Sequence, residues 1–175
     1  NWYAKKKLVW IKSKIENNES AINFLNKSFK ELENPTVENY YDLANFYKDF
    51  EKYEQSIKYY TKVLNNISNS HRLYSEVLYR RGGSYERLSN FKKSDEDLLK
   101  SLEVNANDPY VLNYLAYSWL ERNYKIDVAI EMLERAYSQK KNDPFIIDSI
   151  GWGYYLVEDF IKAEEFLKKA VELMP

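Results

Sequence analysis

The side chains that could take part in chemistry are few and widely separated. The single histidine, His71, lies in the polar segment NISNSHR, with no cluster of Asp, Glu or Cys beside it that would suggest a metal site. The chain has no cysteine, which excludes disulfides, thiolate metal ligands and cysteine nucleophiles together. The pair Gly82 and Gly83 in RRGGSYER lacks the spacing of a phosphate-binding loop. We therefore predict no catalytic centre, no metal site and no cofactor.

A repeated spacing of large and small residues is the dominant pattern of the chain. A large-small-large triplet on one predicted helix is followed by a small-large-small triplet on the next. Four copies can be traced, the second incomplete: Leu43, Ala44 and Tyr47 with Ser56, Tyr60 and Val63; Gly82 and Tyr85 with Ser94, Leu98 and Ser101; Leu115, Ala116 and Trp119 with Ala129, Leu133 and Ala136; and Ile150, Gly151 and Tyr154 with Ala163, Leu167 and Ala170. A period near 34 residues indicates stacked helix pairs, because one pair cannot bury its apolar stripe alone.

With these triplets the chain resembles the tetratricopeptide repeat family, whose pattern runs W-x2-L-G-x2-Y, then A-x3-F, then P. The resemblance implies an all-α fold: a right-handed solenoid of antiparallel helix pairs, the TPR-like superhelix. We place units at 37–74, 75–108, 109–143 and 144–175, with a divergent unit at 2–36. We expect residues 1–175 to be a single repeat domain and a fragment of a longer protein of the bacterial tandem-repeat type.

Small residues are expected to set how closely the helices approach. Ala129 and Ala163 are predicted to lie where the two helices of a pair touch, and Ala170 to face a following unit. All four glycines fall inside predicted first helices, where each costs about 0.5–1 kcal/mol relative to alanine. Close packing within a pair explains Gly151, whereas Gly153 is expected to make room for a neighbouring surface.

Other local features predict how the first helices begin and pack. Pro109 and Pro144 each follow an aspartate, which favours proline in the first helical turn with the aspartate outside the helix. Arg81 takes the place of the large apolar residue found as Leu115 in the next unit. Either the stem of Arg81 is buried with its charged head at an edge, or this first helix is shifted slightly.

Charge is nearly balanced overall but uneven along the chain. The net charge of −1 argues against a general nucleic-acid binder, whose affinity comes largely from neutralised phosphates. Residues 1–36 contain seven Lys and four Glu, net +3, whereas residues 144–175 contain three Lys and six acids, net −3. We expect Lys5, Lys6 and Lys7 to form a solvated helix face, with contact to an acidic neighbour as the alternative. The sequence has no run of 18 apolar residues, so we predict no membrane span within it.

The resemblance also implies where a ligand would bind. In this family the first helices line a concave groove, and the residues beside the packing stripe point into it. Carried over by position, the predicted peptide-binding residues are Tyr41, Asn45, Lys48, Tyr79, Arg80, Arg87, Asn113, Tyr114, Tyr117, Asp148, Trp152 and Tyr155, with Gly83, Leu120 and Ser149 beside them. Tyr, Trp and Arg often dominate interface energies. Since the chain is 17% aromatic throughout, Tyr117 and Trp152 are either ligand contacts or packing residues.

We therefore predict a protein–protein interaction scaffold that binds a peptide or protein segment in its groove and is not an enzyme. One alternative is a structural segment that self-assembles end to end; another, disfavoured by the absence of a basic channel, is an RNA-binding helical repeat. The stripe of Leu167, Ala170, Val171 and Met174 on the last predicted helix has no following helix to cover it. Weak self-association through that helix is therefore expected. Bacterial cytoplasm and cell envelope both remain open as compartments.

Overall fold

The computed structural model describes residues 1–174, and over that range it contains ten α-helices and no β-strand. The helices are α1 (Trp2–Ile15), α2 (Asn18–Lys30), α3 (Val37–Asp49), α4 (Tyr53–Leu64), α5 (Tyr74–Arg87), α6 (Phe91–Val104), α7 (Pro109–Glu121), α8 (Ile126–Gln139), α9 (Pro144–Leu156) and α10 (Phe160–Leu173). Neighbours in sequence pack together, most extensively α3 with α4, α7 with α8 and α9 with α10. The predicted all-α helical-repeat fold is confirmed.

Four first helices, α3, α5, α7 and α9, end in the same tight turn. A left-handed residue follows each helix: Glu51, Ser89, Asn123 and Glu158, with φ between 51 and 60°. The next N–H donates to the carbonyl five residues back at 2.7 to 3.0 Å. This is the Schellman arrangement, which usually places glycine at the left-handed position. Here that position is never glycine, although a side chain there costs about 1–2 kcal/mol.

The two Asp-Pro sequences start helices as predicted. Asp108 caps α7, and its carboxylate accepts from the N–H groups of Tyr110 and Val111 at 3.0 and 3.2 Å. Asp143 caps α9 in the same way, with Pro144 in the first turn. These caps satisfy N–H groups that the helix itself leaves without an acceptor, which fixes where each of the two helices begins.

The helices form two compact units, Asn1–Ser94 and a second that begins at Asp95, so the boundary falls within α6. In unit 1, two buried apolar clusters hold α1 to α5 together. Their buried members are Val9, Ala21, Leu25, Leu43, Phe46, Tyr47 and Phe50 in one, and Ala44, Tyr60, Val63, Leu73 and Val77 in the other. Ser56 is also fully buried, so both predicted triplets of the first full repeat are in the core.

Arg81, the departure from the repeat pattern, is accommodated at the edge of unit 1. It is half-buried, and its Nη1 donates to Thr61 Oγ1 at 2.9 Å. Its guanidinium carbon lies 5.8 Å from the centre of the Tyr85 ring. The first of the two expected alternatives is therefore correct: the stem is covered while the charged head has polar and aromatic partners.

In unit 2 the predicted small residues lie in the core. Ala129 and Ala136 are fully buried, and Ala163 is 3% exposed. Gly151 confirms the expected close approach, because a Cβ added there would lie 2.8 Å from Leu167 Cγ and 3.2 Å from the Leu167 backbone nitrogen. Gly153 makes room for the preceding repeat, since its Cβ would lie 3.0 Å from the Ile130 side chain.

The stripe predicted on α10 is only partly exposed. Val171 and Met174 are 70% and 43% exposed, but Leu167 is half-buried and Ala170 is 2% exposed. Leu167 packs where Gly151 leaves space for it. The expectation that Ala170 needs a following unit to cover it is therefore wrong, because Ala170 is buried although no helix follows α10 within residues 1–174.

Candidate peptide-binding surfaces

Three of the predicted groove residues meet in unit 1. Tyr41 and Asn45 are one turn apart on α3, and Arg80 lies on α5. The Arg80 Nε donates to Glu76 Oε1 at 2.5 Å and its guanidinium lies 5.9 Å from the Tyr41 ring centre. The hydroxyl of Tyr60 donates to Asn45 Oδ1 at 2.6 Å. Tyr60 and Glu76, which were not among the predicted groove residues, therefore hold Asn45 and Arg80 in place.

The polar network has a defined protonation state at neutral pH. Burial raises the pKa of Tyr41, against the opposing charge of Arg80, and burial also raises the pKa of Tyr60. Both phenols therefore stay protonated and act as hydrogen-bond donors. Because Tyr60 donates to the Asn45 oxygen and Tyr41 also hydrogen-bonds the Asn45 side chain, one amide N–H of Asn45 is left to donate to a ligand.

A pocket of about 230 Å3 lies between α1 and α3; we call it the α1–α3 pocket. It is lined by Tyr3, Lys6, Lys7 and Trp10 of α1 and by Asp42, Asn45, Phe46 and Asp49 of α3. The Trp10 and Phe46 rings are 5.4 Å apart, while Tyr3 is 63% exposed. Aromatic rings on both sides and charged groups at the rim give a site of the size and character of one bound side chain.

The lysines of α1 are less solvated than predicted. Lys6 pairs with Asp42 at 2.8 Å, and the same carboxylate accepts from the Trp2 indole at 2.8 Å. Lys5 pairs with Glu31 at 2.5 Å. Only Lys7 of the three is exposed, with its ammonium 4.6 Å from the Tyr3 ring centre. The alternative expectation, contact with acidic neighbours, is therefore the correct one for Lys5 and Lys6.

The remaining predicted residues of unit 1 lie apart from this pocket. Lys48 is half-buried and 3.9 Å from Asp49. Tyr79 is half-buried on α5, and the Arg87 side chain is 66% exposed near the end of that helix. Gly83, expected beside the groove, is buried. The structure therefore groups Tyr41, Asn45 and Arg80 and leaves the others as separate positions on the first helices.

In unit 2 the predicted groove residues include a stacked aromatic pair on α9. Trp152 and Tyr155 of α9 stack with ring centres 5.2 Å apart, and Tyr155 is 48% exposed. Tyr117 of α7 is 41% exposed and Asp148 is exposed. The Trp152 indole nitrogen is buried with no hydrogen-bond partner in the described part of the chain, so this ring packs through its faces.

Two residues of unit 2 that were expected beside the groove are core residues instead. Leu120 is 1% exposed and Ser149 is 4% exposed, so both are core residues. Leu120 is buried because Gly153 brings α9 close to it: a Cβ on Gly153 would lie 3.4 Å from Leu120 Cδ1. Asn113 and Tyr114 are half-buried. Repeat position alone did not distinguish groove residues from residues covered by the neighbouring first helix.

A second and larger concavity lies between α9 and α10; we call it the α9–α10 groove. It has a volume of about 600 Å3 and is lined by Tyr155, Phe160, Ala163, Glu164, Leu167, Lys168, Val171 and Glu172. Phe160 is 58% exposed and its ring is 5.7 Å from that of Tyr155. The predicted groove residue Tyr155 therefore belongs to an apolar surface of the last helix pair.

Residues 1–174 contain no group of three or more His, Cys, Asp or Glu side chains that could hold a metal ion. His71 Nδ1 accepts from the N–H of Leu73 at 3.1 Å, which is a turn contact. No helix in the described residues is both long and apolar enough to cross a membrane. The first helices and the two concavities described above are the candidate surfaces for function.

Sequence comparisons agree with the helix pairs. Residues 37–69 and 75–108 match the family model described as tetratricopeptide repeat. A TPR repeat-containing protein of Pseudomonas aeruginosa is 25% identical over 128 residues, which are 73% of this chain and 20% of that protein. The chain thus spans about a fifth of the length of this curated relative.

Solved structures share the fold. MamA from Desulfovibrio magneticus RS-1 has a TM-score of 0.76 at 16% identity, covering 98% of this chain and 94% of its own. BtubC from P. vanneervenii scores 0.79 at 18% identity, covering 95% and 77%. YrrB, a TPR protein with an unusual peptide-binding site, scores 0.67 at 22% identity, covering 98% and 85%. Residues 37–69 and 75–108 are therefore tetratricopeptide repeats, and proteins built from such repeats are in general protein–protein interaction scaffolds without enzymatic activity.

Proposed function

We propose that this chain binds a segment of a partner protein on its first helices, and that the α1–α3 pocket holds one large apolar side chain of that segment. The observation that carries the proposal is the pocket itself, about 230 Å3 between Tyr3, Trp10 and Phe46. Concave sites with apolar walls and few polar groups are the usual form of a recognition site. Buried aromatic anchors commonly supply most of the binding energy at such sites.

Polar groups around the pocket suit the backbone of a bound segment. Asn45 lies on the pocket wall, where its oxygen accepts from Tyr60 at 2.6 Å and its side chain also hydrogen-bonds Tyr41, which leaves one amide N–H to donate to a carbonyl. The charge of Asp42 is already neutralised by Lys6, and its carboxylate also accepts a hydrogen bond from the Trp2 indole. A neutral, apolar side chain therefore suits the aromatic walls of the pocket, because Lys6 and Asp42 already neutralise each other.

The predicted residues of the other first helices extend this proposal. Arg80 and Tyr41 in unit 1 offer a fixed cation and a phenol. In unit 2 Tyr117, Trp152 and Tyr155 offer aromatic surface. Each group is of a type enriched at interface hot spots. We assign Tyr41 and Arg80 to contacts outside the pocket in unit 1, and propose the aromatic residues of unit 2 as a separate contact surface.

A peptide display library selected against the 175-residue chain tests the proposal. We expect the enriched peptides to share a large apolar residue. Tyr3→Ala should weaken their binding about tenfold, which corresponds to about 1.4 kcal/mol. Tyr110→Ala is the matched control, since Tyr110 is 50% exposed at the same place near the start of a first helix. Failure to enrich any peptide, or equal affinity for wild type and Tyr3→Ala, would count against the pocket.

A further inference from the structure

We infer that the exposed face of α1 in one molecule docks into the α9–α10 groove of a second molecule, so that copies of this chain associate head to tail. The inference does not depend on the proposed peptide site, because it uses the adjacent face of α1, which shares only the border residue Lys7 with the α1–α3 pocket. Its two halves are an apolar ridge in unit 1 and an apolar groove in unit 2. Neither half requires a change in the fold, since both surfaces are already exposed.

The ridge is a regular stripe along α1. Ala4, Leu8, Ile11 and Ile15 follow the spacing that places residues on one helix face. Leu8, Ile11 and Ile15 are 45%, 50% and 72% exposed. The same helix buries Val9 in its own unit. An α-helix with two apolar faces, of which only one is covered, needs a second partner or leaves the other face in water.

The groove offers a matching surface. Phe160 and Val171, 58% and 70% exposed, stand at its two ends, with Leu167 and Ala163 between them. At 1.5 Å rise per residue, the eleven steps from Phe160 to Val171 span about 16 Å, and the stripe from Ala4 to Ile15 has the same length of about 16 Å. An amphipathic helix laid along an apolar groove is an established mode of recognition.

Charge favours this pairing over the association of two like surfaces. Helix α1 contains five lysines and no acidic residue, and Lys7 and Lys14 flank its exposed stripe. The groove carries Glu164, which pairs with Lys168 at 2.7 Å, and Glu172, so its lining has a net charge of −1. Residues 1–36 have a net charge of +3 and residues 144–175 a net charge of −3. Two α1 faces would repel each other, whereas α1 and the groove attract.

A contact between different surfaces has a consequence that a symmetric dimer lacks. Each molecule that has docked its α1 still presents an empty groove, so association continues to larger species unless a ring closes. The size of the complex should therefore rise with concentration. A variant with an altered ridge and a variant with an altered groove, when mixed, should form one contact with each other and associate no further.

Sedimentation velocity on the full chain, from micromolar to near-millimolar concentration, tests this. The ridge variant carries Ile11→Glu with Ile15→Glu, and the groove variant carries Phe160→Lys with Val171→Lys. We expect the wild type to form growing species and each variant alone to remain monomeric. An equimolar mixture should give a one-to-one complex and nothing larger, because one intact ridge meets one intact groove. Val128→Lys, at an exposed aliphatic residue of α8, is the control and should associate like the wild type.

Three results would overturn the inference. A wild-type chain that stays monomeric at the highest concentration shows that the two surfaces do not bind each other. Variants that associate as the wild type does place the contact elsewhere. If both variants are monomeric and their mixture also stays monomeric, the contact is symmetric and needs the ridge and the groove intact in the same molecule. Circular dichroism of each variant separates these results from loss of the helical fold.

Discussion

At the place where the helices of a pair touch, unit 1 has Ser56 and unit 2 has Ala129. Both residues are fully buried. The Ser56 hydroxyl lies 2.8 Å from that of Ser84 on α5, within hydrogen-bonding distance. Ala129 has no polar side-chain group and only allows close approach. The same position in the repeat is therefore filled by a hydrogen-bonding group in one unit and by a small apolar group in the other.

The large position of the second helix shows the same contrast. Tyr60 in unit 1 and Leu133 in unit 2 are both fully buried, but only Tyr60 reaches a polar partner, Asn45, at 2.6 Å. A hydrogen bond fixes direction as well as distance, whereas apolar contact depends mainly on volume. Unit 1 should therefore respond to the loss of hydroxyl groups, and unit 2 to changes in side-chain size.

The largest effect is expected for overpacking in unit 2. Ala129→Leu adds three carbon atoms at a position with no exposed surface, and should lower the free energy of unfolding by about 1–3 kcal/mol. Urea unfolding measures this difference. Val128→Leu is the control, because the neighbouring Val128 is 43% exposed and should change stability little. Equal stability of Ala129→Leu and wild type would show that helix packing in unit 2 does not depend on a small residue at this position.

Two glycines of α9 sharpen the same idea. Alanine at either place gains about 1 kcal/mol of helix propensity, but a Cβ at Gly151 would lie 3.2 Å from the Leu167 backbone, which cannot rotate away. At Gly153 the nearest atom, Ile130 Cγ1 at 3.0 Å, belongs to a side chain and not to the backbone. We expect Gly151→Ala to destabilise by about 1 kcal/mol and Gly153→Ala to be neutral or stabilising. Thermal melts in which Gly153→Ala costs more would reverse this assignment.

Local patterns predicted most of the fold. The spacing of Leu115 and Trp119 places both on one helix face, and the Asp108-Pro109 sequence defines where that helix starts. Such signals lie within a few residues of each other, so a single sequence contains them. The turn residues were not predicted, because Glu51 and Glu158 adopt a conformation that sequence patterns assign to glycine.

The candidate site was harder to predict because its contacts are distant in sequence. The α1–α3 pocket depends on the Trp2 indole reaching Asp42, 40 positions away. Helix α1 matched the repeat pattern weakly, so no groove residue was expected from it, although its tryptophans and adjacent lysines were visible. Leu120 was placed beside the groove because nothing in its own helix indicates that Gly153 lies against it.

The smallest effect we predict tests the hydrogen bonds of unit 1. Tyr60→Phe removes one hydroxyl and leaves the Asn45 oxygen without that donor, so it should lower the free energy of unfolding by about 1 kcal/mol at neutral pH. Tyr124→Phe is the control, since Tyr124 is 44% exposed. Urea unfolding of both variants beside the wild type gives the difference.

This cost should shrink in alkali, because burial raises the pKa of Tyr60 in the folded chain above its unfolded value. The stabilisation from a protonated Tyr60 is complete below the unfolded pKa, near 10, and is lost as the pH rises above it. Half a pH unit above that value the wild type should have lost about 0.8 kcal/mol that Tyr60→Phe, which cannot titrate, retains. Other buried tyrosines are common to both proteins and cancel in the comparison. If the loss of unfolding free energy caused by Tyr60→Phe stays constant from pH 8 to about 10.5, Tyr60 ionises as readily in the folded chain as in the unfolded one. Unit 1 would then not differ from unit 2 in its dependence on the Tyr60 hydroxyl.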